Sequence, residues 1–223
     1  MKLSDKKIIT SWDDGDPLDL KLAEILMKYE IPGIFYIPRR NKEGRVVNEK
    51  QIKNLSRYFE IGGHTLNHVD LTSIPISVAK EEIEGCKKWL EDLLGKKITK
   101  FCYPKGKYNC NIIKLVGNAG FVEARTVRCF EIYPQAFNKL EQPTTIKVGK
   151  WEFSYIKRLL KDKYFLKTDL FFSLLKKDSW DKLANKYYNK ASRGNGFFHL
   201  WGHSWEIENE DNWKKLISFF ENI

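Results

Sequence analysis

From Lys7 to Val127, short apolar runs alternate with apolar residues at helical spacing. Lys7–Trp12 (KIITSW) is β-rich and runs into Asp-Asp-Gly, the pattern of a buried strand with polar residues at its C-terminal end. Leu18, Leu22, Ile25, Leu26 and Tyr29 fall at helical spacing, and Ile31-Pro32-Gly33 breaks that helix. Ile34–Ile37 is a second strand, stopped by Pro38. Asn48 caps a helix carrying Ile52, Leu55 and Phe59. Glu60-Ile-Gly-Gly-His-Thr is a third strand-to-loop step. Ser77–Leu94 is a long amphipathic helix with Gly95 as its stop. Ile98–Tyr103 is a fourth strand, Asn111–Asn118 a helix closed by Gly120, and Phe121–Val127 a fifth strand. This alternation predicts βαβ units and a parallel inner sheet or barrel.

The pattern changes after Val127. Residues 131–195 are long, Lys-rich and aromatic, and read as mostly helical. Gly196–Gly202 (GFFHLWG) returns to strand, and Asp211–Asn222 is a closing amphipathic helix. No repeat or low-complexity linker interrupts the chain. One α/β domain over residues 1–223, with a helical insertion at 131–195, fits best.

Composition adds three limits. With 223 residues, 42% hydrophobic and 30% charged, the chain is long enough and balanced enough to bury a core without disulfide staples. Its four cysteines, Cys86, Cys102, Cys110 and Cys129, form no C-x-x-C pair and read as free thiols of a reducing compartment. No apolar run reaches membrane-span length, and the start lacks an apolar signal core, so a cytoplasmic location is expected. The net charge of +10 attracts anions, and residues 131–195 carry much of the excess. No zinc-finger or RNP-type spacing accompanies the charge, so no specific nucleic-acid partner is expected. Within 155–175, Lys157, Arg158, Lys161, Lys163 and Lys167 mix with Leu159, Leu160, Phe165, Leu170, Phe171 and Phe172. That composition suits peripheral contact with an anionic membrane and a phosphorylated or lipid-linked substrate.

The chemistry gathers where strands end. The only histidines are His64, His68, His199 and His203, in two H-x-x-x-H pairs. On a helix, His64 and His68 would share one face and could grip one metal. Two adjacent carboxylates, Asp13 and Asp14, repel each other unless a cation lies beside them. Phe101-Cys-Tyr-Pro-Lys-Gly106 is a tight loop able to aim a backbone N–H at an oxyanion. Gly202-His203-Ser-Trp-Glu206 sets a histidine at the last strand's end with a carboxylate three residues on, as a proton donor would require. Tyr103, Tyr108, Trp201 and Trp205 lie near these loops and offer rings to sugar faces.

Taken in order, Asp13-Asp14-Gly15, His64-Thr-Leu-Asn-His68, Phe101–Gly106 and the late His203 resemble the polysaccharide deacetylase family, the NodB-homology group of carbohydrate esterase family 4. The resemblance spans Ile8 to Glu206, and no family motif falls within 131–195. It implies a distorted (β/α) barrel of about seven parallel strands with a helical, Lys-rich insertion before the last strand. It implies one divalent metal, zinc foremost, with cobalt, nickel, manganese or iron also compatible. It implies Asp13 as general base, Asp14, His64 and His68 as metal ligands, and His203 as general acid. The implied substrate is an N-acetylated sugar or glycoconjugate, bound by Tyr103, Pro104, Lys105, Trp201 and Trp205. Three positions depart from the family pattern: Cys102 stands where an Arg often pairs with the catalytic Asp, Lys105 where an aromatic precedes Gly, and Val69 where a Pro often follows the second His. Arg125, on the next strand in Glu-Ala-Arg-Thr, is the candidate replacement for the missing Arg. Competing readings are an amidohydrolase of cyclic amides or imides, a weakened glycan- or lipid-binding module, and a non-haem iron oxygenase.

Overall fold

The computed structural model describes residues 7–150 and 179–223. Seven strands form one sheet in the order β5-β4-β3-β2-β1-β7-β6, with every pair parallel. They are β1 (Ile8–Asp13), β2 (Gly33–Ile37), β3 (Glu60–Gly63), β4 (Lys100–Cys102), β5 (Glu123–Arg125), β6 (Ile146–Lys147) and β7 (Phe198–Gly202). Among the described residues the α-helices are α1 (Asp19–Lys28), α2 (Glu49–Leu55), α3 (Ile76–Leu94), α4 (Cys110–Asn118), α5 (Trp180–Arg193), α6 (Ser204–Asn209) and α7 (Trp213–Glu221). The sheet curls into a distorted barrel. Gln142 bridges to Arg125 at one open edge, and Thr145–Lys147 continues along β7 at the other.

Local chemistry explains the helix limits. Asn48 accepts from the Gln51 backbone while Gln51 reaches back to Asn48, a closed capping box for α2. Asn109 caps α4 through the amides of Asn111 and Ile112. Gly95 ends α3 in the left-handed region at φ 65°, as the sequence stop requires.

Strand alternation divides the interior in two. Ile8 and Trp12 of β1 point outward into the main core beneath the helices, with Phe35, Leu26, Ile83 and Phe101. Ile34, Tyr36 and Cys102, packed by Ile9, form a small separate cluster inside the curl. Space there is tight: a Cβ on Gly62 would lie 2.4 Å from the Tyr36 ring.

One expectation changes. The mostly helical insertion expected over residues 131–195 includes a strand of the barrel itself, Ile146–Lys147. Two residues are too short for any periodicity to signal. The α6 helix has no sequence signal of its own, because it starts directly after His203 with no breaker between strand and helix. The basic segment 155–175 lies outside the described residues.

Candidate active site

The C-terminal ends of β1, β3, β4 and β7 meet at a cleft of about 250 Å³. Asp13, Asp14, Glu43, His64, His68, Tyr103, Lys105, Gly106, Val127, Trp201, His203 and Trp205 line it. In a regular strand Asp13 and Asp14 would point to opposite faces. Here β1 ends at Asp13, and Asp14 turns into the left-handed region at φ 76°. Both carboxylates therefore line the cleft.

The His64–His68 segment is not the helix that would have aligned its imidazoles. It is a loop with Thr65 at φ 67° and His68 at φ 50°. The loop still brings the two rings to a 5.0 Å centroid separation. Its shape is held from α3: Glu82 Oε2 accepts from the Asn67 backbone at 2.8 Å, and Oε1 accepts from Asn67 Nδ2 at 2.6 Å. No sequence motif pointed to Glu82; its burial at 7% exposure is the structural sign of its work.

His64 Nδ1 bonds the Cys102 carbonyl at 2.8 Å, which assigns the proton to Nδ1 and leaves Nε2 free as a donor atom. The Nε2 atoms of His64 and His68 lie 3.6 and 3.2 Å from Asp14 Oδ1. With metal bonds of about 2.1 Å, tetrahedral ligands sit roughly 3.4 Å apart, so the triangle fits one divalent cation. Asp14 Oδ1 is buried with no hydrogen-bond partner among the described residues, as an oxygen reserved for a cation would be. The donor set of two imidazoles and one carboxylate suits zinc and its neighbours. Burial would raise the Asp14 carboxyl, but the close approach of the His64 and His68 imidazoles, with His203 beyond them, holds it far below the ordinary range.

Asp13 sits beside this triangle. Arg125 Nη2 donates to Asp13 Oδ2, and the same Nη2 lies 2.7 Å from Cys102 Sγ. The guanidinium thus reaches Asp13 from β5, alongside the Cys102 thiol. Asp13 Oδ1 is buried and has no hydrogen-bond partner among the described residues. Burial alone would raise the Asp13 carboxyl, yet Arg125, then His64 and His203, bring it below its ordinary value.

His203 caps α6 and its Nδ1 is 2.8 Å from Glu206 Oε2. Glu206 Oε1 accepts from Lys147 Nζ at 2.8 Å, so the two-residue strand β6 supports the histidine through the carboxylate. His203 Nε2 is left facing the cleft, 3.9 Å from Asp14 Oδ2. Next to it, Ser204 Oγ donates to the buried Asp19 Oδ1 at 2.6 Å.

The aromatic and loop residues divide. Trp205 is 37% exposed and lines the cleft. Trp201 is only 4% exposed and carries the Arg125 guanidinium 4.5 Å from its ring centre, so its face is already taken. Tyr103 is buried, stacked on Tyr108 at 4.9 Å, with its hydroxyl on the Leu140 carbonyl. Pro104 is buried and does not line the cleft. Lys105 reaches across the mouth to Glu43 Oε1 at 2.6 Å, and Glu43 Oε2 lies 3.5 Å from His68 Nδ1. His199 is remote from this cleft: its Nε2 bonds Ser11 Oγ at 2.8 Å, and it lines a separate cavity with Ile9 and Tyr36.

The chain is a curled parallel α/β barrel with an Asp-His-His triangle, able to hold one metal ion, at its C-terminal rim. The chain belongs to the polysaccharide deacetylase family, whose sequence model matches residues 1–124, more than half of the 223. It is 26% identical over 123 residues to YxkH of Bacillus subtilis (strain 168), whose curated name assigns it provisionally to the polysaccharide deacetylases. That match covers 54% of this chain and 44% of YxkH. The fold is similar to the chitin deacetylase of Colletotrichum lindemuthianum, with a TM-score of 0.61, 14% identity, and coverage of 96% of this chain and 81% of that one. It is also similar to the Streptococcus pyogenes deacetylase PplD, solved with acetate, at a TM-score of 0.56 and 21% identity over 60% of this chain and 62% of that one. The chain thus spans less than half of YxkH and about three fifths of PplD. Among the described residues, no helix is long and apolar enough to cross a membrane.

Proposed function

We propose that this chain is a metal-dependent N-deacetylase that hydrolyses the acetamide of an N-acetylated sugar or glycoconjugate. One observation carries the reading: a three-donor triangle, a buried carboxylate with one free oxygen and a carboxylate-backed histidine share a single cleft. Family membership and the names of the fold relatives, a chitin deacetylase and a deacetylase holding acetate, support it.

Asp14, His64 and His68 would hold the cation. Bound there, a divalent ion supplies Lewis acidity and a water whose pKa falls toward about 7. Asp13 is the base. Its Oδ2 is engaged by Arg125, which leaves Oδ1 to take the water proton. The water oxygen bonds to the acetyl carbon, and the loop at Lys105 lies beside the oxygen that gains charge. The C–N bond breaks as His203 Nε2 gives a proton to the departing nitrogen, while Glu206 holds Nδ1. Acetate and a free amine result. Zinc is the favoured ion on its ligand chemistry.

Trp205 is the ring available to a sugar face, with the Lys105–Glu43 pair at the cleft mouth. The Lys-rich composition of 131–195 favours a phosphorylated or lipid-linked sugar, held near an anionic membrane. The test is acetate release from N-acetyl sugars, nucleotide sugars, lipid-linked sugars and chito-oligosaccharides, with Asp13→Asn as control. Release lost in the control is expected. Turnover of cyclic amides with no acetate from any sugar would select the amidohydrolase reading instead.

A further inference from the structure

Asp14 uses its two oxygens differently. Oδ1 faces both imidazoles and has no hydrogen-bond partner among the described residues. Oδ2 accepts from the indole Nε1–H of Trp205 at 3.0 Å. Trp205 stands on the first turn of α6, directly after His203, and its ring lies 5.3 Å from that imidazole. Trp205 also lines both the main cleft and a neighbouring depression that contains Asp16, Asn41, Arg45 and Asn209. A sugar platform needs only the exposed face of the ring. It does not require the N–H to point inward at a metal-ligand carboxylate.

The backbone makes such a tether useful. Asp14 sits at φ 76°, where a side chain other than glycine's is strained. A short carboxylate on that turn can rotate about χ1 and χ2 unless something outside the turn fixes it. We infer that Trp205 is a positioning residue for Asp14, holding Oδ2 through its indole N–H so that Oδ1 alone faces the metal. Outer hydrogen bonds of this kind orient ligands and typically change metal affinity 10–100-fold when lost. The inference rests on the metal-site reading above, and its test separates the two.

The test is zinc binding by metal-stripped protein, read by competition with a chromophoric chelator and without substrate. Trp205→Phe keeps a ring on the wall and removes the donor. Trp205→Leu is the second variant if the first folds poorly, as checked by the melting temperature of the metal-free protein. Asp14→Asn reports on the metal site itself. The expected result is tight binding in the parent, loss in Asp14→Asn, and zinc bound about 10–100-fold more weakly in the Trp205 variants. Loss in Asp14→Asn with parental affinity in the Trp205 variants would overturn the inference and leave the metal site standing. Parental affinity in Asp14→Asn would overturn both.

Discussion

Asp13 and Arg125 form the most consequential pair at the residue scale. Both are almost fully buried, so each depends on the other for its charge. Removing one partner of such a pair typically costs about 3–5 kcal/mol, because the remaining ion stays buried and alone. Arg125→Ala should therefore lower stability by that order in denaturant unfolding. It should also remove the main attraction that keeps the Asp13 carboxyl low, so that carboxyl rises. A base whose pKa rises is protonated at higher pH, so the acid limb of kcat/KM should move up in pH. Arg125→Lys should restore part of both effects. An unchanged acid limb in Arg125→Ala would separate Arg125 from the chemistry and leave it a structural ion pair. The sequence showed these residue types, with Cys102 in place of the motif Arg and Arg125 on the next strand. It did not carry the φ of 76° that turns Asp14 into the cleft, nor the unpartnered Oδ1 of Asp13. Those depend on packing that no local pattern encodes.

At the scale of elements, the α3 helix does more than cover the sheet. Through Glu82 it fixes the loop that carries His64 and His68. That loop has two non-glycine residues at positive φ, so its shape depends on outside bonds. Glu82→Ala leaves the Asn67 amide without its acceptor, a loss of about 1–3 kcal/mol. The expected outcome is a lower melting temperature together with weaker zinc binding. A lowered melting temperature with parental zinc affinity would show that the loop keeps its shape without Glu82. Periodicity marked most major elements, because α1, α3 and the long apolar strands bury one face or both. It failed for β6, whose two residues show no period, and for α6, which follows its strand without a break. The H-x-x-x-H spacing suggested a helix, yet the two imidazoles converge through turns. Sequence spacing marked the pair, but tertiary bonds set its geometry.

Over the whole molecule, the barrel has two different ends. The C-terminal rim gathers the Asp, His and Trp side chains, while His199 at the other end is pushed down to about 3 by burial and by Arg125, and so stays neutral there. A parallel barrel makes this division natural, since every strand delivers its last residues to the same rim. The alternating pattern up to Val127 places that rim, and the residues at four strand ends, Asp13, Asp14, His64, His68, Tyr103 and His203, line one cleft there. At that rim Asp14, His64 and His68 are proposed to hold one ion on which amide hydrolysis depends. The most direct measurement is a zinc titration of metal-stripped protein, following bound zinc and acetate release from an N-acetylated substrate together. Activity should rise linearly and stop at one equivalent per chain, and His68→Ala should lose both signals. Full acetate release from the stripped protein, or from His68→Ala without bound zinc, would show that hydrolysis does not depend on an ion at this site.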